Sequence, residues 1–191
     1  MAETLNSFLV SVGINYSLSL TVAGANASVN NNNQTLSLNY KSAIADAAVG
    51  GASLLYYNVL TIAGSGAQTI VLGNASLIDP LNNTLTYARC KLFLVALLAT
   101  TQSLNDGTVG TACTSITWGG AASHPAFQGA GKWLDDATAV ITVHNGGLSL
   151  NVDGNAAGNA VVAGTSDQVL FTNIDTVNSA KILVVALGGS A

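Results

Sequence analysis

Charge is scarce in this chain. Only 7% of its 191 residues are Asp, Glu, Lys or Arg, against about a quarter in an average soluble domain. Five Lys and Arg stand against nine Asp and Glu, for a formal net charge of -4. The cations cluster nowhere beyond Arg89 and Lys91. Phosphate binding needs clustered Lys and Arg, so nucleic acid is not expected as a direct partner. Cysteine is equally sparse. Cys90 and Cys113 are far apart with no C-x-x-C, which writes neither a zinc site nor a redox pair and leaves open whether the two thiols meet. No apolar run reaches the roughly 20 residues of a membrane span, so no membrane partner is expected. The N-terminus carries Glu3 where a signal peptide needs Lys or Arg, and no export signal is expected.

What the chain does have is apolar and small polar residues. Apolar side chains make up 49% of it, and with so few charges the exposed positions must be Ser, Thr, Asn and Gly. Much of the apolar surplus is then expected against other subunits. At this length one domain can bury a real core without staples.

The longest apolar signal runs from Leu85 to Leu98 and includes Arg89, Lys91 and Phe93. Taken with period two, Ala88, Cys90, Leu92, Leu94, Ala96 and Leu98 share one wholly apolar face. The opposite face begins with Tyr87, Arg89 and Lys91 and ends with Phe93, Val95 and Leu97. This predicts a strand entering the middle of a two-layer structure, with Cys90 as a buried thiol.

Around it the chain is written in strands and turns. Tyr16 to Val22 and Gln34 to Tyr40 alternate and are expected to pair as a hairpin across an Asn-rich tip, Gly24 to Asn33. Ser42 to Val49 has the composition of a short helical turn closed by Gly50 and Gly51. Strands are expected over Leu54–Ile62, Gln68–Leu72, Thr114–Trp118, Ala139–Val143, Leu148–Val152, Val161–Gly164, Gln168–Thr172 and Lys181–Leu187. Turns are expected at Asp79 to Asn83 and at Asn145-Gly146-Gly147. Strands this regularly spaced predict an all-β sandwich or barrel.

Motifs for chemistry are incomplete. Gly64 to Thr69 starts like a dinucleotide loop but lacks the final Gly and precedes a strand. Asp153 to Gly164 starts like a calcium loop but has Ala157 and Gly164 where oxygen ligands are needed. His124 and His144 could join Asp135 or Asp136 in acid-base work, yet no spacing supports it, no G-x-S-x-G is present, and adjacent acids diverge on an extended chain. No enzyme activity, cofactor or metal is expected. Trp118 and Trp133 could form a sugar-stacking platform or an interface anchor; the plainer reading has both plugging the open end of a sandwich. Arg89 and Lys91 could clamp acidic groups of a partner; the plainer reading is a solvated strand end.

Taken together, Tyr87 to Leu92, Gly119 to Ala122, Phe127, Trp133 to Thr138, Val143 to Leu148, Ala163 to Gln168 and Thr172-Asn173 form a pattern. It resembles small structural virion proteins of tailed bacteriophages, over roughly residues 54–187. The resemblance implies a jelly-roll-like antiparallel β-sandwich; the chain is expected to form a single domain over residues 1–191, with 1–45 as an N-terminal β arm or hairpin used in assembly, since terminal strands can pair with exposed sheet edges. The resemblance further implies a capsid decoration or cement protein, a homotrimer bound to the major capsid protein or other virion subunits. A receptor- or carbohydrate-binding module of a head fibre or tail is the alternative. The chain would be made in the host cytoplasm and end in the virion, with Arg89, Lys91, Trp118 and Trp133 as candidate partner contacts.

Overall fold

The computed structural model describes residues 7–18, 34–45, 54–79, 82–104, 106–120, 123–136, 138–153 and 158–190. Its elements are all strands: β1 (Ser7–Leu18), β2 (Gln34–Ala45), β3 (Leu54–Ile62), β4 (Ala67–Val71), β5 (Leu77–Ile78), β6 (Thr84–Leu85), β7 (Arg89–Leu97), β8 (Ser115–Gly119), β9 (Val140–His144), β10 (Leu148–Val152), β11 (Asn159–Ala160), β12 (Gln168–Asn173) and β13 (Ala180–Gly189). Two antiparallel sheets pack together as a sandwich. One has the order β10-β7-β13-β3, with β11 pairing onto the start of β7; the other has the order β4-β12-β8-β9. The chain's main strands pair in nested fashion: β3 with β13, β4 with β12, β7 with β10, and β8 with β9.

β1 and β2 pair antiparallel from Ser7 opposite Ala45 to Leu18 opposite Gln34. This corrects the expected helical turn over 42–49, because Ser42 to Ala45 continue the strand. Cross-strand pairing outweighs the modest helix preference of an Ala-rich segment. The remainder of that segment, the residues 19–22 and the expected tip at 24–33 lie outside the described residues. β3 and β10 have the predicted bounds, while a short β11 at Asn159–Ala160 replaces the strand expected at Val161–Gly164.

The core is organised on β7. Phe93, Val95 and Leu97 are fully buried between the sheets. The Phe93 ring lies 5.3 Å from Trp118 of β8, 5.0 Å from Phe127 and 6.4 Å from Phe171 of β12, centroid to centroid. Strict alternation would put Cys90 on the opposite face from Phe93, yet Cys90 is also fully buried in this core. A bulge resolves the conflict. β13 pairs Leu187 with Leu92 and Gly188 with Cys90, so Lys91 has no opposite residue and the facing of β7 changes there. The crossing is tight: a Cβ on Gly188 would overlap the carbonyl oxygen of Arg89 and lie 2.7 Å from Tyr87 Cδ1. Tyr87, itself buried, donates from its hydroxyl to Ala186 O at 3.0 Å across the same crossing.

The turn expected at Asn145-Gly146-Gly147 is present, with Gly146 at φ +73° and Gly147 N donating to His144 O at 2.8 Å. It closes no hairpin. β9 before it belongs to one sheet and β10 after it to the other, so the turn carries the chain across the sandwich.

Phe93→Ala removes the ring that touches both layers and is expected to cost about 3–5 kcal/mol. Leu94→Ala, one residue on but facing outward, is expected to cost about 1 kcal/mol. Urea midpoints of the two variants check the difference.

Candidate interaction surface

Beyond the bulge, the residues of β7 that do not enter the core face outward with those of its neighbours. The registers align them in rows: Val152, Leu92, Leu187 and Leu55; Leu150, Leu94, Val185 and Tyr57; Leu148, Ala96, Leu183 and Val59. No charged side chain and no amide interrupts these rows. Leu92 and Leu187 are buried beneath their neighbours, whereas Leu148 is 55% and Tyr57 41% exposed. The face is bounded at one end by Arg89, whose Nη1 donates to Ser190 O at 3.3 Å. Beyond Leu183, at the other end, Lys181 stands opposite Thr61. The outer face of the second sheet is different. There Thr69, Thr117, Thr142, Thr172, Gln168 and His144 mix with Val71, Val140 and Leu170.

The structure places the four candidate contact residues in distinct settings. Arg89 is half-buried at the end of the apolar face, its guanidinium packed over Gly189. Lys91, the bulged residue, is buried, and Asp153 N donates to its carbonyl at 2.7 Å. Burial holds the Lys91 ammonium below its usual range; Asp153 works against that shift and Arg89 with it. Trp118 is fully enclosed in the aromatic core. Trp133 is half-buried, its ring centroid 4.7 Å from that of Phe127 at a tilt of 55°, and the Phe127 ring also meets Trp118. Of the two indoles, only that of Trp133 reaches the surface.

The outer apolar face was not singled out from the sequence, although each contributing strand signals it. Leu54–Ile62 and Ala180–Gly189 are apolar at neighbouring as well as alternate positions, the mark of strands covered on both faces, while Leu148–Val152 alternates strictly and gives all its apolar residues to this one face.

Comparison with known proteins finds no matching family model, no matching curated protein and no matching solved structure.

Other polar groups serve the fold. His124 meets neither Asp135 nor Asp136 in an ion pair; its Nδ1 lies 4.0 Å from Asp167 Oδ1. The cleft beside Trp118, Phe127 and Gln128 has an interior of about 10 Å³, room for about one water molecule. No group of three His, Cys, Asp or Glu among the described residues is placed to hold a metal ion. Cys90 and Cys113 are both buried and free, not bonded to each other. The Cys113 thiol donates to Asn173 Oδ1 at 3.2 Å, and burial pushes the Cys90 thiol far above its usual range.

One end of the sandwich is tied by Asn173 and Asp175. Asn173 donates from Nδ2 to Ile62 O, Ala63 O and Asn178 O, which binds β12 to the end of β3. Asp175 accepts from Val177 N and Asn178 N on Oδ1, and from Thr114 N and Asn178 Nδ2 on Oδ2. These donors, the Asn178 amide foremost, hold its carboxyl well below the usual carboxylate range. A folded-state pKa below the unfolded one adds stability above about pH 4 and forfeits it as the pH falls toward the folded value. Asp175→Asn turns an amide donor toward the Thr114 amide. It is expected to lower the urea midpoint at neutral pH and to flatten the acid-induced fall that the unaltered protein shows below about pH 4.

Proposed function

We propose that this chain is a non-enzymatic structural protein of a bacteriophage virion: a capsid decoration or cement protein that self-associates, most naturally as a homotrimer, and binds the assembled shell. The observation that carries the reading is the uncharged outer face of the β10-β7-β13-β3 sheet, a surface fitted to lasting contact with protein. The strand order supports it as well. Outside the β1-β2 pair, β3 with β13, β4 with β12, β7 with β10 and β8 with β9 are nested, which supports reading the sandwich as a long hairpin rolled into two sheets, like the jelly rolls of viral shell proteins and lectins. The resemblance to small virion proteins adds to both.

The mechanism is mass action. A protein that binds only the assembled shell adds its binding free energy to that shell, summed over many copies. β1 and β2 are the first choice for contact with neighbours, as an N-terminal arm, because terminal strands can pair with exposed sheet edges. Deletion of residues 1–40 is expected to abolish co-sedimentation with particles that lack the protein, while near-ultraviolet circular dichroism reports an intact core. Full binding by the truncated chain would count against the arm, and failure of the whole protein to bind any shell would end the reading.

A second reading, a receptor- or carbohydrate-binding module, is favoured by Trp133, the indole that reaches the surface and is backed by the Phe127 ring. Here Trp133→Ala is expected to erase binding on a glycan array with the fold unchanged. No glycan binding by the parent protein would remove this reading.

A further inference from the structure

The chain contains two apolar surfaces that match. One is the outer face of the β10-β7-β13-β3 sheet. The other is written in the register of β1 and β2. Val12 opposite Tyr40, Ile14 opposite Leu38 and Tyr16 opposite Leu36 alternate with Ser11 opposite Lys41, Gly13 opposite Asn39, Asn15 opposite Ser37 and Ser17 opposite Thr35. Alternate pairs share one face of a two-stranded ribbon, so over residues 11–17 and their partners one face is built of apolar pairs and the other of polar ones, a division that ends at Val10 opposite Ser42, Leu9 opposite Ala43 and Leu18 opposite Gln34. Among the described residues no further strand joins the β1-β2 sheet, and a two-stranded ribbon is marginally stable in water unless something packs on it.

We infer that the outer face of the β10-β7-β13-β3 sheet is the seat of this chain's own β1-β2 ribbon. The dimensions agree: three successive apolar pairs occupy about 14 Å, the same length as the three rows on the sheet, since both follow the two-residue repeat of a strand. The reach agrees as well. Residues 46–53 join Ala45 to Leu54, the first residue of β3, which is an outer strand of that very sheet. Eight residues span up to about 30 Å, more than the width of four strands about 4.8 Å apart.

Area decides against two bare faces meeting as a dimer. The rows offer about half of the 20–30 residues that a standard interface uses on each side. A tethered ribbon does not depend on area alone, because its effective concentration is set by the linker. The polar pairs, Lys41 among them, would then form the new outer surface, and the apolar rows would no longer meet water. This inference bears on the virion reading: a face covered by the ribbon of its own chain is not free for a shell or a second copy, whereas a ribbon exchanged between copies serves the self-association proposed above. Particle binding tests that reading, and the experiment below, which involves no particle, tests this one.

The test is thiol cross-linking in the full chain with a short bismaleimide. Cys90 and Cys113 are fully buried and serve as silent background. Val12→Cys with Leu94→Cys pairs the ribbon's apolar column with the middle of the sheet face. Asn15→Cys with Leu94→Cys probes the polar column, and Val12→Cys with Thr142→Cys probes the opposite sheet. The first pair is expected to cross-link on the order of tenfold more than either control. A cross-link within one chain supports the seat directly; one between chains supports the same seat filled by exchange. Equal yields from all three pairs would overturn it. As a second reading, Leu94→Lys leaves the core-facing residues of β7 untouched and is expected to cut hydrogen-exchange protection of β1 and β2 on the order of tenfold. Unchanged protection in that variant would also overturn the inference.

Discussion

Phe93 meeting Trp118, Phe127 and Phe171 is the contact on which the two-layer structure depends. It joins the central part of one sheet to two strands of the other and to the loop that covers their end. Each such ring removes about 150–250 Å² from water, and a well-placed aromatic pair adds about 0.5–1.5 kcal/mol beyond that burial. The bulge at Lys91 is what makes this compatible with a buried Cys90. A one-residue change of register exchanges the two faces of a strand, so without the extra residue either the thiol or the ring would leave the core. Gly188 permits the close passage of β13 at that point, and the Tyr87 hydroxyl ties the two strands beside it.

The same bulge has a consequence on the outside. It places Leu92, Leu94 and Ala96 in line with the outward residues of β10, β13 and β3, and so assembles an uncharged face from four strands. The opposite sheet shows solvent a Thr-rich face. A protein with 7% charged residues leaves apolar side chains exposed in several places, Ile78, Val109, Val140, Val162, Ile174 and Val177 among them, but it is on this sheet that the registers align them into a contiguous uncharged face.

Polar side chains hold the ends of the sandwich. Asn173 and Asp175 satisfy backbone groups from the ends of β3 and β12, the residue preceding β8 and the turn before β13, where ladder hydrogen bonds run out. The Asn145 side chain does the same for the carbonyls of Thr111 and Cys113 where the chain crosses between sheets. Buried backbone groups must be paired, and with few charges available Asn does much of that pairing.

The sequence by itself determined the all-β class, most strand positions and the main turns, because alternation and turn chemistry are local properties. Leu54–Ile62 and Leu148–Val152 could be read directly, as could the turn at Asn145-Gly146-Gly147. Only the tertiary structure decided that this turn joins two sheets rather than a hairpin and that Ser42 to Ala45 extend a strand. It also decided that Trp118 lies wholly inside, and which residues of β7 face the core. The reason is the same in each case: the partner strand, distant in the chain, sets the register, and register decides which side of a strand is in and which is out.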